Sequence, residues 1–256
     1  MSRDAAAPGQ EPVLKVDGLS VSYGSLRALE DVGLEVARGR VCGLVGTNGS
    51  GKSTLFKAIM GLLSPDAGTI AVAGLDGRAA RGRGLVGYVP QEDAVDRDFP
   101  IAVGEVVMTG RYGRMGLLRR PSRADQEAAE AAMERTGLTA LAARPIGALS
   151  GGQRKRAFVA RGIAQGARLL LLDEPFAGVD RASESAITAL LRELAAEGCA
   201  ILLSTHDLGS LRALTDDVVL LSRRILAAGP TAQVLTGENV ARAFGTEPGA
   251  GEGMLR

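Results

Sequence analysis

Residues 46–54 read GTNGSGKST and fit the pattern G-x-x-x-x-G-K-[ST]. An apolar, strand-like run at 41–45 leads into this loop, and the stretch after it, 52–63, carries Leu55, Ile59 and Leu62 at helical spacing. Strand, glycine loop and helix in that order make a phosphate cradle. Gly46, Gly49 and Gly51 let successive backbone N–H groups turn toward one centre, where side chains would block a phosphate. The helix N-terminus adds positive potential at the same point. Lys52 is placed to reach β- and γ-phosphates, and the Ser53 hydroxyl to meet Mg²⁺. Thr47, Asn48, Ser50 and Thr54 complete the loop. A chance glycine-rich turn with a surface Lys would not require all three elements in register.

The rest of the chain alternates in the manner of a twisted α/β core with a helical insertion. Strand-like segments cover 13–23 and 32–36, then 69–73 after the breakers Pro65, Asp66 and Gly68, then 86–89. Residues 92–165 read as helical, with Ser122 and Asp125 marking a helix start before the Ala/Glu-rich stretch 124–136. Alternation returns with LLLL at 169–172, a helix over 182–196 and a strand over 199–204. The strand-like DVVLLS and RILAAG follow, and a short helix covers 239–244. Residues 1–12 and 246–256 read as mobile tails.

Three further features carry chemistry. LLLLDEP at 169–175 ends a buried strand with two carboxylates. Beside a phosphate loop, Asp173 is expected to hold Mg²⁺ through water, and Glu174 to orient or deprotonate the attacking water. The bland alternative is an acidic pair favoured by a helix dipole. His206, the only histidine, follows another buried strand in STHD. It could meet a γ-phosphate or be an ordinary surface or core histidine. LSGGQ at 149–153 precedes a helical run at 154–165 and forms a second anion-binding helix start. A chain with one phosphate loop has no use for it unless a second chain's nucleotide docks there.

Other signals are set aside. GRGLVG at 82–87 satisfies G-x-G-x-x-G but precedes a strand instead of following one, so it reads as a loop. The sequon Asn48-Gly49-Ser50 lies inside the phosphate loop and carries no meaning there. Cys42 and Cys199 read as buried reduced thiols. Two distant Cys and one His do not make a transition-metal site. Net charge is +1, from 30 basic and 29 acidic residues, which argues against nucleic acid as a dominant partner. No secretory h-region and no apolar run of about 18–20 residues is present, so the expectation is a soluble cytosolic chain held at any membrane by another subunit.

Together these motifs resemble the nucleotide-binding subunit of ABC transporters, in the family's order over about residues 13–230. The Walker A loop is 46–54, the Q-loop glutamine Gln91, the signature 149–153, Walker B 169–174, the D-loop AGVD at 177–180 and the switch histidine His206. The adenine-stacking aromatic matches Tyr23, for which a core strand tyrosine is the alternative. The resemblance implies a P-loop NTPase (RecA-like) core with an antiparallel β subdomain and a helical, signature-bearing insertion at about 92–165, all in one ATPase domain over 13–245. It implies ATP and Mg²⁺ as ligands, with Ser53, Gln91 and Asp173 on the metal. The same resemblance implies Glu174, His206 and Gln91 as the catalytic set. It also implies a head-to-tail dimer in which Ser150, Gly151, Gly152 and Gln153 close on the partner's ATP and Asp180 communicates across the interface. A transmembrane permease and a substrate-binding protein complete the expected system, with this chain on the cytoplasmic face of the membrane.

A narrower resemblance lies in 96–121 and in DEPFAGVD. Both look like the ATPases of manganese/zinc importers, with iron and iron-chelate importers nearest. The region 96–121 is the surface expected to face the permease. Arg97 and Ala177 depart from those relatives, which often carry Trp and Thr there; neither is expected to touch the phosphates. The alternatives are an iron-chelate or other ABC importer, or a soluble ABC ATPase of cofactor assembly. The length forbids the two-cassette ribosomal class, and DNA-repair relatives have coiled-coil insertions that are absent here.

Overall fold

The four leucines at 169–172 show how the core is divided. In the computed structural model, which describes residues 11–91, 100–116, 118–209 and 211–245, they belong to strand β6 (Leu169–Asp173). Successive side chains of a strand point to opposite faces. Leu169 and Leu171 join one apolar cluster, and Leu170 and Leu172 join the other. The same alternation splits β7 (Ala200–Thr205), with Ala200 and Leu202 on one side and Ile201 and Leu203 on the other. Both strands are therefore apolar over their first four residues because both faces are covered, and turn polar only at their C-terminal ends.

These strands sit in a six-stranded sheet of order β5-β6-β7-β3-β8-β9. The others are β3 (Val41–Val45), β5 (Val86–Val89), β8 (Asp217–Ser222) and β9 (Arg224–Pro230). All neighbours are parallel except β9, which runs antiparallel to β8. The C-terminal ends of β3, β6, β7 and β8 thus share one edge, where open α/β sheets place their ligands. A second sheet, β2-β1-β4, is antiparallel: β1 (Pro12–Tyr23), β2 (Leu26–Ala37) and β4 (Ala67–Val72). Pro12, read from sequence as tail, pairs with Ala37. The β1–β2 hairpin also extends well beyond the expected 32–36.

Helices α1 (Lys52–Ile59) and α2 (Gly77–Gly82) connect the two sheets. The helix expected over 52–63 stops at Ile59. Gly61 is left-handed at φ 64, and an added Cβ there would stand 2.5 Å from the Arg78 nitrogen. Leu62, counted on the apolar stripe, is instead 56% exposed. Helix α2 has no counterpart among the sequence expectations. Six residues are too few for a period, although Asp76 caps it by accepting from Ala79 N at 2.9 Å. GRGLVG accordingly runs from the last residue of α2 into β5 and opens no helix.

The helical stretch contains α3 (Val103–Thr109), α4 (Arg123–Arg135) and α5 (Gly151–Gln165). Ser122 caps α4 as expected, its Oγ accepting from Asp125 N while Asp125 Oδ2 accepts from Ser122 N at 3.0 Å. Arg97 lies outside the described residues. Helices α6 (Arg181–Ala196), α7 (Leu211–Leu214), α8 (Thr231–Val234) and α9 (Gly237–Phe244) complete the fold. Cys42 is buried as expected, but Cys199 precedes β7 and is only half-buried at the wall of a surface cleft. Burial pushes the Cys199 thiol up to about 12.

Candidate active site

A cleft of about 630 Å³ opens at the C-terminal edge of the sheet. Thr47, Asn48, Gly49, Gly51, Lys52, Ser53 and Thr54 line its floor. Tyr23 comes from the hairpin, Gln91 from beyond β5, Asp173 and Glu174 from the end of β6, and His206 from the end of β7. Tyr23 is 46% exposed, so the reading as a core strand tyrosine fails. Gly46 and Ser50 do not line the cleft but support the loop from beneath. An added Cβ on Gly46 would stand 2.3 Å from Leu221 O. Gly51 turns the chain at φ 106, where a Cβ would stand 2.5 Å from Leu29 Cδ2 and 2.8 Å from Ala28 O, so only glycine fits.

Lys52 is 8% exposed, and its Nζ donates to Gly46 O at 2.7 Å and Thr47 O at 3.1 Å. Burial lowers its pKa, and the charges of Glu174 and Asp173 partly oppose that shift. The ammonium therefore bridges the two ends of its own loop, where a polyphosphate offers far better acceptors than two carbonyls.

The carboxylates are held differently. Asp173 Oδ1 accepts from Ser204 Oγ at 2.6 Å, and Oδ2 lies 3.4 Å from the Tyr88 hydroxyl. Burial and the neighbouring Asp173 push that hydroxyl up to about 12, so it stays a donor. Glu174 adopts a left-handed backbone at φ 50, which turns its side chain into the cleft. Its Oε2 stands 2.8 Å from His206 Nδ1. A hydrogen on Nδ1 makes this contact a hydrogen bond from the imidazole to the carboxylate. The dipole-cap reading of the acidic pair does not account for this, since no helix begins at these residues.

Sequence reasoning missed two supports. Ser204 orients Asp173, and its only signal was its place one residue before the end of β7. Lys155, 2% exposed, lies on α5 and donates to Glu174 O at 3.0 Å and Pro90 O at 3.2 Å. Its signal was a charge on the apolar stripe shared with buried Val159 and Gly162.

The signature residues are not part of this cleft. Ser150 caps α5, accepting from Gln153 N at 3.3 Å, while Gln153 Oε1 accepts from Ser150 N at 3.0 Å. Gly152 packs on the first turn of α6, where an added Cβ would stand 2.5 Å from Ser183 Cβ. Asp180 caps α6 and accepts from Ser183 N and Oγ, and these bonds lower its pKa.

A glycine loop opening a helix, with a carboxylate pair ending the strand two places away, defines an ATPase of the P-loop class. Comparison with known proteins narrows the class. The ABC transporter family matches residues 29–177. The manganese transport system ATP-binding protein MntA of Synechocystis is 48% identical, covering 92% of this chain and 91% of that protein. The chelated iron transport system membrane protein YfeB of Yersinia pestis is 48% identical, covering 91% and 79%. The zinc transport system ATP-binding protein TroB of Treponema pallidum is 43% identical, covering 91% and 86%. Among solved structures, a metal-chelate type ABC transporter in an inward-facing conformation superposes with a TM-score of 0.81 at 29% identity, covering 91% of this chain and 89% of that one. The chain belongs to the ABC transporter family, as one of its ATP-binding, ATP-hydrolysing subunits. Cassettes of this family form dimers and work with a transmembrane permease.

Proposed function

We propose that this chain powers the import of a metal ion, manganese or zinc, with iron or its chelates as the alternative, through a separate permease at the cytoplasmic face of the membrane. The observation that carries the reading is its likeness, over nine-tenths of its length, to ATP-binding proteins named for manganese and zinc transport. A substrate-binding protein would select the cargo. Among the described residues no group of three or more His, Cys, Asp or Glu is placed to hold a metal, and no helix is long and apolar enough to cross a membrane. The helical surface of residues 96–121, of which 100–116 and 118–121 are described, is where we seat the permease.

In this reading Tyr23 stacks on adenine and the loop 46–54 cradles the phosphates, with Lys52 leaving its two carbonyls for them. The hydroxyl of Ser53, the amide oxygen of Gln91 and the carboxylate of Asp173 are hard oxygen donors on one cleft, a set that suits Mg²⁺. Bound there, Mg²⁺ would neutralise phosphate charge. Glu174 takes the proton of the attacking water, its carboxylate fixed by His206. Ser150, Gly151, Gly152 and Gln153 close on the nucleotide of a second copy, and Asp180 stands at the same interface.

The test is metal accumulation in a strain lacking the gene. The wild-type chain should restore it, and Glu174→Gln should not, because a general base contributes about 10²–10⁴-fold to hydrolysis. Purified Glu174→Gln should also form an ATP-dependent dimer by light scattering. Unchanged metal content in the deletion strain would reject the transport reading. A Glu174→Gln chain that hydrolyses ATP at the wild-type rate would reject the catalytic one.

A further inference from the structure

Five described non-glycine residues have a left-handed backbone, and two of them line the ATP cleft: Glu174 at φ 50 and Arg223 at φ 58. Such strain persists where the surroundings fix it, often at functional sites. Glu174 has its role in the reading above. Arg223 has none.

Arg223 forms the β8–β9 turn. Its N–H donates to Ser50 O at 2.8 Å, and its carbonyl accepts from Glu30 N at 2.9 Å. The residue therefore pins the phosphate loop to strand β2. Its neighbours are already engaged: Arg224 and Arg27 share the Glu30 carboxylate. The Arg223 guanidinium is exposed and has no carboxylate partner among the described residues, although it borders a cleft built for a polyanion.

The sheet order fixes which part of that polyanion it faces. β8 flanks β3 on one side, while β7 and β6 lie on the other. At about 4.8 Å per strand, the end of β8 is roughly 14 Å across the sheet from the end of β6, where Glu174 stands. Arg223 thus sits between the phosphate loop and the hairpin that carries Tyr23, away from the hydrolytic carboxylate.

We propose that Arg223 is a nucleotide-binding residue whose guanidinium holds the α- and β-phosphates of ATP. This rests on the placement of ATP in this cleft. It predicts a contact shared by ATP and ADP, felt in affinity and not in the chemical step.

Arg223→Gly is the informative variant, because glycine adopts the left-handed turn without strain and keeps both backbone bonds. Titration calorimetry with ATP and ADP at fixed Mg²⁺, on the full chain at low salt, should show both ligands weakened equally, about five- to tenfold. The gap should narrow as salt rises. Arg223→Lys should stay within about twofold of wild type, since the ammonium keeps a charge-assisted bond. In steady-state hydrolysis, KM should rise for Arg223→Gly while kcat holds. Three results overturn the proposal: Arg223→Gly binding both nucleotides like wild type, a loss confined to ATP, or Arg223→Lys losing as much as Arg223→Gly. Lys52→Ala run alongside tests the site itself. If it too binds ATP like wild type, the cleft is not the ATP site and the placement fails first.

Discussion

Replacing Lys155 with methionine keeps the stem and removes the ammonium. In the folded chain Nζ donates to Glu174 O at 3.0 Å and Pro90 O at 3.2 Å, with Asp173 O at the limit of contact, 3.5 Å. Two well-made bonds from a charged donor to buried carbonyls are worth about 1.5–3 kcal/mol each. Part of that returns, because the variant no longer holds an ammonium out of water. A net loss of about 2–3 kcal/mol is expected, which lowers Tm by roughly 4–12 °C for a chain of this size. Function should suffer more than stability. The bond to Glu174 O restrains the left-handed residue that aims its carboxylate, and if that carboxylate takes the water's proton as proposed, a misplacement near 1 Å costs on the order of 10²-fold in rate. Calorimetric melting and steady-state ATPase assays give the two readouts. Unchanged Tm together with unchanged kcat would refute the whole argument. Lower Tm with unchanged kcat would reduce Lys155 to a packing role.

Gly152→Ala should cost about 1–3 kcal/mol by overpacking against Ser183, whose Cβ and Oγ would stand 2.5 and 2.6 Å from the new methyl. Urea unfolding reads the loss, and Ser183→Gly in the same chain should recover most of it; no recovery would disprove the clash. Asp125 is held down to about 2 by hydrogen bonds from Ser122 and then by Arg111. A depressed carboxylate stabilises the fold above its unfolded value near 4 and loses that contribution as pH falls toward 2. The stability gap between wild type and Asp125→Asn should therefore close over that range, and a gap constant from pH 6 to pH 2 would contradict it.

What the sequence could reveal followed from how local each determinant is. The phosphate loop was legible because strand, glycines and helix are contiguous, and the strands at 41–45 and 86–89 were placed to the residue. Leu62 misled because an apolar residue at helical spacing says nothing about Gly61, whose tight approach to Arg78 ends the helix. Helix α2 was too short to show a period. The roles of Lys155, Ser204 and Arg223 were hidden for a different reason: each acts on residues at least 19 positions away, Lys155 on Glu174, Ser204 on Asp173 and Arg223 on Ser50. No local pattern records such a pairing. Half-burial of Cys199 was likewise invisible, since the apolar run after it reads the same whether or not its first residue faces a cleft.

Helix α5 links two places that the sequence showed as separate motifs. Its first residues form the signature, capped by Ser150 and wedged by Gly152 against the start of α6. Lys155, five residues on and so about 7.5 Å along the axis, holds the backbone of Glu174 in the chain's own cleft. If a second chain's ATP docks on Ser150, as proposed, one rigid helix carries that event to the hydrolytic carboxylate of the opposite site. A single turn and a half of helix is too stiff to absorb the movement, so docking and aiming become one event. Lys155→Met cuts this link while leaving Ser150 and the phosphate loop untouched. The double variant Lys155→Met/Glu174→Gln should therefore still assemble into an ATP-dependent dimer by light scattering. Lys155→Met alone should keep its low kcat even at protein concentrations that saturate dimer formation. Recovery of the wild-type kcat by concentration alone would mean that Lys155 acts on assembly, and the helix would not be the coupling element.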